Sequence, residues 1–516
     1  MRKGLSFVFA AVLLLGCLSS ASACTLFYVG GDMTEDGTNW FARSEDYVDT
    51  YNKLYYVSPA GKHTAGEVYR GCYGFSWTFT HDSYQYTARR DDNLSGVCPD
   101  CGGTHDHTPY EEAGTNDHGV TISATETLYA QDAVLEVDPY TEKGIEEAEI
   151  VTVILSEAAS AREGVELLLS IYEDVGAQGA SGLIIADQNE QWLVENCSGS
   201  QYIALKLPAS VAFLQPNMSV LGRIDLDDSE NLIASDDVIG IAQKAGTFVG
   251  DAEENVIDFR ASYDTLGPVS GNDSRGWRLA AGLNYLSGTD QWTGENVFED
   301  NDTVLTNIAE DGSICTLHNR LTLKKTCTVD DVLGLYREWP IGYENNVEIH
   351  FYQFCPDAEP KLGTVERSTM GDGRCNAYVP CYPMLLTDTW EGFQCSPGEI
   401  EVWDEEPESG DYDEYDGVWL VYPEGWEQSY CWTMKALAGE LYSGDYDEEE
   451  EKSVQARMAG LQTALEERFE EVKAEIAAAE TDEARQQIMT AADMEMSVQV
   501  HDLALKLYRE LTAGED

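Results

Sequence analysis

Ala21-Ser22-Ala23-Cys24-Thr25-Leu26-Phe27-Tyr28-Val29-Gly30-Gly31 is the stretch from which the rest of the chain is read. Ala21 and Ala23 stand in the A-x-A spacing after which signal peptidase cuts. Upstream, Arg2 and Lys3 precede an apolar run from Leu5 to Leu15, so residues 1–23 read as an export signal. That run is shorter than the roughly 18 to 20 residues needed to cross a bilayer, and no second candidate span follows. The mature protein is therefore expected outside the cytoplasm: periplasmic, at the cell surface or secreted. Cleavage after Ala23 leaves Cys24 with a thiol and a free α-amine on one residue. A rival cut is written nearby, because Leu14-Leu15-Gly16-Cys17 has the form of a bacterial lipoprotein signal. Processing there leaves Cys24 inside the chain without an amine. Lipidation of Cys24 itself would block both groups, and Ala21 stands where such signals favour a larger aliphatic residue.

A thiol with an ordinary pKa of about 8.5 is only partly ionised near neutrality, and an α-amine titrates near about 7.7. The amine can accept the thiol proton, directly or through water. Downstream, Arg43 can stabilise a thiolate and Asp46 can orient the amine. Attack on an amide carbonyl then gives a thioester that water hydrolyses, with Asn side chains or backbone N–H groups suited to the oxyanion. The plainer reading of the same residues is a strand-opening cysteine in a disulfide and a surface ion pair.

The 516 residues allow a large core, in two or more domains or one big sandwich with additions. Against 31 Lys and Arg stand 94 Asp and Glu, a formal charge of −63. Such a field repels nucleic acid and anionic membranes, and a solvated acidic surface explains it. Thirteen cysteines in an exported chain predict some disulfides. Cys98-Pro99-Asp100-Cys101 with His105 and His107 offers two or three zinc ligands, but without a second pair a local disulfide or inert loop is the better reading.

Thr25–Val29 is rich in strand formers, Asp36-Gly37 is a turn signal, and Asn39–Arg43 returns, so residues 25–43 predict a hairpin that carries Arg43 and Asp46 back towards Cys24. Strand-like text continues at 52–57, 68–80 and Gly119–Thr125. Residues 145–175 carry one helical pattern, with Ile154, Ala158, Ala161, Val165, Leu168 and Tyr172 on one side. Strands resume at Gly182–Ala186, Gln191–Glu195 and Tyr202–Leu205. Strands on both sides of a helical block predict a layered α+β domain. The acidic run Asp404–Asp416 reads as an exposed loop whose Asp411, Asp413 and Asp416 lack a full calcium-loop pattern. From 452 to about 512 the chain is helical, with Val454, Met458, Leu461, Leu465, Val472 and Ile476 in one stripe and Thr481-Asp482 as a break and cap.

Cys24–Val29, Asp36-Gly37 and Ala42-Arg43-Ser44-Glu45-Asp46 closely resemble the start of the cysteine dipeptidases of the N-terminal nucleophile hydrolases, relatives of choloylglycine (bile-salt) hydrolases and penicillin V acylases. Gly114-Thr115-Asn116-Asp117-His118-Gly119-Val120 and Ser123–Thr127 resemble that family's second signature. The likeness continues through Pro208, Asn217, Ile224–Asp228, Asp273–Arg278 and Gly425–Trp432. It implies a four-layer αββα sandwich with added C-terminal helices, and hydrolysis of short peptides through an N-terminal cysteine. Cys24 matches the nucleophile, with Arg43 and Asp46 the residues that tune and orient it. Asn116 matches the asparagine of the second signature, Asn217 one at the oxyanion site, and Arg275 the late arginine at the pocket, with Arg278 a second claimant. A pocket near Arg275 would suit a substrate carboxylate. No cofactor or metal is implied, and the expected form is a homo-oligomer of unknown size.

The expected boundaries are a signal peptide over 1–23, a hydrolase domain over 24–440 and a helical extension over 441–516. The alternative activities are an acylase acting on N-acyl amides or β-lactams, and a non-catalytic envelope binding protein on the same scaffold. The Cys98-Cys101 insert precedes Asn116 and makes strict dipeptidase specificity less secure than amide hydrolysis.

Overall fold

A computed structural model of the chain describes residues 24–47, 52–71, 74–92, 110–228, 230–265, 274–297, 306–307, 315–398, 401–403, 412–415, 418–442 and 447–513. The leader, the lipoprotein-like cysteine and the Cys98–His107 stretch lie outside these residues.

The first two strands, β1 (Thr25–Val29) and β2 (Asn39–Asp46), form the predicted antiparallel hairpin, with Leu26 opposite Arg43. Its turn closes on Asp36, whose Oδ1 accepts from the Thr38 N–H at 3.0 Å, and on Gly37 in the left-handed region at φ 76°. Six further strands run β3 (Lys53–Ser58), β4 (Tyr86–Asp91), β5 (Glu111–Thr115), β6 (Thr121–Thr127), β7 (Ser181–Ala186) and β8 (Gln191–Asn196). The last six are β9 (Tyr202–Lys206), β10 (Ala212–Gln215), β11 (Leu232–Ala234), β12 (Asn346–Phe354), β13 (Thr364–Met370) and β14 (Val379–Cys381). They make two antiparallel sheets, one of six strands ordered β10-β1-β2-β12-β13-β14 and one of eight ordered β11-β9-β8-β7-β6-β5-β4-β3.

Successive strand residues face opposite sides, and that alternation builds the layers. Leu26, Tyr28 and Phe41 meet Ile184, Leu193, Ile203 and Leu205 of the other sheet in an interlayer core. Phe27, Val29, Trp40 and Ala42 turn outward to Leu279, Leu283 and Val332 on helices Arg275–Ser287 and Val329–Leu335. On the far face Ile122, Leu183, Ile185 and Trp192 pack under Val151, Ile154, Val165 and Leu168. Helices, sheet, sheet and helices therefore stack in the expected αββα order.

The single helix predicted over 145–175 is two helices, α1 (Glu147–Glu157) and α2 (Ala161–Val175). Ala158 leaves the helix in extended geometry, and Ser160 caps the second helix by accepting from the Glu163 N–H at 3.2 Å. Apolar spacing carries across such a break, so periodicity alone merges the two. The loop expected over 404–416 also changes: Tyr412–Tyr415 pairs in a small sheet with Val418–Val421, and the rest of the run lies outside the described residues. The two long C-terminal helices span Glu448–Ala478 and Asp482–Thr512, with Thr481 accepting from the Ala484 N–H at 3.2 Å. Val454, Met458, Leu465, Val472 and Ile476 are buried, and Gln462 and Phe469 complete the stripe. These helices share one core with Tyr382, Leu385, Trp432 and Leu437, so they pack on the edge of the six-stranded sheet.

Among the described residues no disulfide joins Cys24, Cys197, Cys327, Cys355, Cys375, Cys381, Cys395 and Cys431 to one another, and the side chains of the other five cysteines lie outside the described residues. Cys197 sits in the interlayer core, Cys327 in the outer helical core, and Cys375, Cys381 and Cys431 in the C-terminal core. There they serve as small buried apolar residues.

Candidate active site

Cys24 directly precedes β1 and is in phase with Leu26 and Tyr28, so its side chain belongs to the interlayer face. Arg43, opposite Leu26, lies on that same face of the neighbouring strand. Two local rules, a hairpin register and a period of two, thus place a guanidinium beside a thiol. Arg43 Nη2 donates to Cys24 Sγ at 2.9 Å. Its other terminal nitrogen, Nη1, makes an ion pair with Glu112 of β5, so one buried guanidinium bridges the two sheets.

Asp46 ends β2 and accepts from Asn346 Nδ2 at 2.5 Å, a residue it also pairs with across the ladder. Burial pushes its carboxyl up to about 7, against the opposing pull of Arg278, Asn346, Ser44 and Arg43. Asn217 follows β10 in the left-handed region at φ 53°, a conformation that costs energy and here aims its amide at the N-terminal strand. Arg278 Nη2 donates to Asn217 Oδ1 at 2.8 Å, and Arg278 Nη1 to Thr25 Oγ1 at 2.9 Å and to the Cys24 carbonyl oxygen. Arg275, one turn earlier on the same helix, reaches the Asn217 carbonyl at 3.4 Å and lies 4.8 Å from the Tyr129 ring centre.

Cys24, Arg43, Asp46, Asn217 and Arg275 are therefore gathered at one end of the interlayer space. Arg278, the second claimant in the sequence, makes the direct contact with Cys24, and Arg275 stands one residue behind it. Asn116 is placed elsewhere. Its Nδ2 donates to the Leu155 and Ala158 carbonyls at 3.0 and 2.8 Å, and its Oδ1 accepts from the His118 and Val120 N–H groups at 3.1 and 3.0 Å. All four bonds of its amide are used, to close a turn and to cap the C-terminal end of α1.

Glu112 was not singled out in the sequence. Its neighbour Glu111 faces α1, accepting from Thr152 Oγ1 at 2.6 Å, and Glu112 faces the opposite sheet. Two consecutive carboxylates in a strand otherwise buried were the available signal. Around them the interlayer is charged: Lys53 Nζ pairs with Asp91 at 2.5 Å and Glu45 at 2.8 Å, and Arg89 with Glu348 and Glu366. Buried charges persist when paired in this way. Beside them Ser123 Oγ lies 2.8 Å from His350 Nε2, and the Glu348 carboxylate 2.8 Å from His350 Nδ1. That order is the one used by serine nucleophiles, and all three residues are buried between the sheets.

Among the described residues no group of three or more His, Cys, Asp or Glu side chains is arranged to hold a metal ion, and no helix is long and apolar enough to cross a membrane.

The sequence model of Peptidase family C69 matches residues 23–401. A probable dipeptidase B of Streptococcus pyogenes serotype M1 is 30% identical over 427 residues, 76% of this chain and 78% of the relative. A probable dipeptidase of Salmonella dublin is 33% identical over 395 residues, 74% of this chain and 85% of the relative. Among solved structures, penicillin V acylase from Agrobacterium tumefaciens overlaps 67% of this chain and 82% of its own, at 13% identity and a TM-score of 0.26. A conjugated bile acid hydrolase from Clostridium perfringens overlaps 67% and 89%, at 12% identity and a TM-score of 0.26. With the family match running from the residue before Cys24 through both sheets, the chain belongs to peptidase family C69.

Proposed function

We propose that the protein is an exported dipeptidase in which Cys24, released by cleavage of the Ala23–Cys24 bond, is both nucleophile and base. The observation that carries this reading is the Arg43 guanidinium at 2.9 Å from Cys24 Sγ. A fixed cation at that distance favours the thiolate over the thiol. The family match beginning at residue 23 and the relatives named as dipeptidases support it further.

In the proposed cycle the Cys24 α-amine takes the thiol proton and the sulfur attacks the peptide carbonyl carbon. The new C–S bond leaves a negative oxygen. Asn217 suits it, because its Oδ1 is turned to Arg278 and its Nδ2 donor therefore faces the other way. Collapse breaks the C–N bond, and the α-ammonium returns the proton to the departing amine. The same amine next deprotonates a water that hydrolyses the thioester. Asp46 and Arg278 hold the segment in place, and Arg275 supplies a guanidinium for the substrate's terminal carboxylate.

Intact mass and N-terminal sequencing of the mature protein test the first requirement, a chain beginning at Cys24. Cys24→Ser is expected to cut kcat on unblocked dipeptides by about 10³-fold or more with the fold intact. An active enzyme whose Cys24 remains bonded to Ala23 overturns the reading. Alkylation of Cys24 should inactivate it and a chelator should not. A preference for N-acyl amides or β-lactams in a substrate panel favours the acylase alternative, and binding without turnover the non-catalytic one.

A further inference from the structure

We propose that Glu112 selects substrates with a free amino terminus: its Oε2 receives the substrate α-ammonium while Cys24 attacks the adjoining carbonyl. The inference rests on the dipeptidase reading and gives it a recognition element on the amino side of the scissile bond.

Three observations converge on this oxygen. First, Glu112 is fully buried and held by the same guanidinium as the nucleophile, Nη1 of Arg43 on Oε1 and Nη2 on Cys24 Sγ. The planar fork of an arginine keeps its two partners side by side. Second, Oε2 of the same carboxylate is buried without a hydrogen-bond partner. A carboxylate oxygen in that state is costly, and a native structure keeps one where something else completes it. Third, among the described residues here the acids outnumber the cations. Arg43 and Lys53 face Glu45, Asp91 and Glu112, and Lys53 is already shared between Asp91 and Glu45. Burial first, and Glu112 next, push the Glu45 carboxyl well above the usual range, so an added cation would offset the repulsion that Glu45 meets.

The chemistry of a dipeptide fits such a place. Its amino nitrogen lies two bonds, about 2.5 Å, from the carbonyl carbon under attack. Whatever binds the ammonium must therefore stand beside the nucleophile, as Glu112 does. An N-acylated substrate presents a neutral amide at that point and leaves the buried carboxylate unpaired. Sites built around a buried polar partner reject ligands that lack its complement far more strongly than apolar pockets reject a change of size.

The experiment compares kcat/KM for an unblocked dipeptide and its N-acetyl form in the mature enzyme, in Glu112→Gln and in Glu112→Asp. Alkylation of Cys24 by iodoacetamide is followed against pH in each. The glutamine keeps an acceptor for Arg43 and removes the charge. The wild type is expected to prefer the unblocked substrate by about 100-fold or more, and Glu112→Gln to collapse that ratio towards one by a loss on the unblocked substrate, with Cys24 still alkylated by iodoacetamide. Glu112→Asp retains the charge one methylene further back. It should keep part of the preference, and it carries the test alone if the glutamine variant does not fold. Equal losses on both substrates with a displaced alkylation profile would make Glu112 a positioning residue for Arg43, or a partner of the enzyme's own terminal amine, and overturn the proposal. An unchanged ratio overturns it as well. A wild type that prefers the N-acetyl form sinks the dipeptidase reading itself, before any variant is compared.

Discussion

Arg278 Nη2 holds Asn217 Oδ1 at 2.8 Å while Nη1 of the same side chain holds the carbonyl oxygen of Cys24. One guanidinium thereby ties the helix Arg275–Ser287, the left-handed turn after β10 and the first residue of the sandwich into a rigid unit. Arg275 reaches that unit at the Asn217 carbonyl, 3.4 Å away.

From this difference Arg278→Lys and Arg275→Lys should separate. A lysine cannot grip two acceptors in a fixed fork, so Arg278→Lys releases the Asn217 amide and the Cys24 segment together. The expected loss is about 10² to 10³ in kcat, the range for disturbing one oxyanion donor. Arg275→Lys should act mainly on KM for substrates with a free carboxylate. Steady-state kinetics on one dipeptide with both variants reads the two effects.

Asn116 predicts the opposite pattern. Asn116→Ala removes the donors for two carbonyls at the end of α1 and the acceptor for two N–H groups of its own turn. Leaving buried partners unsatisfied costs about 1 to 3 kcal/mol per group, so a stability loss of about 3 kcal/mol or more is expected. Turnover per folded molecule should hold. Urea unfolding combined with titration of the reactive thiol separates stability from chemistry.

Several fully buried carboxyls are pushed up chiefly by burial: Asp46, Glu195 and Asp493 to about 7, Glu111 to about 8 and Asp264 to about 6. Between the ordinary carboxylate range and those values the folded chain keeps protons that the unfolded chain has released. Stability from these groups is therefore present at mildly acidic pH and declines as pH rises from about 4 towards 8. Glu348, held low by His350 and Arg89 against its own burial, works in the other sense and loses its contribution as pH falls below the carboxylate range. The high negative charge adds repulsion on the alkaline side. The urea midpoint should be higher at pH 5.5 than at pH 8, and the reverse order would contradict this assignment.

Residues 24–46 were legible because their structure is local. Strand formers at Thr25–Val29 marked the first strand, Asp36-Gly37 set the turn, and the register that follows brought Arg43 to Cys24. The C-terminal helical pair was legible for the same reason, with Thr481 marking its break. The boundary between α1 and α2 was not, because the stripe of apolar residues runs on across Ala158–Ser160.

The sequence by itself determined the N-terminal hairpin and the identity of the residue just before its first strand, since both depend on neighbours a few positions apart. Only the tertiary structure decided that Glu112 closes on Arg43 from the facing sheet, 69 residues away, and that Arg278, 254 residues from Cys24, stands nearer than Arg275. It also decided that Asn116 serves a helix end. Those outcomes depend on how sheets stack and how a helix is rotated about its axis, and hydrophobic packing over the whole core sets both.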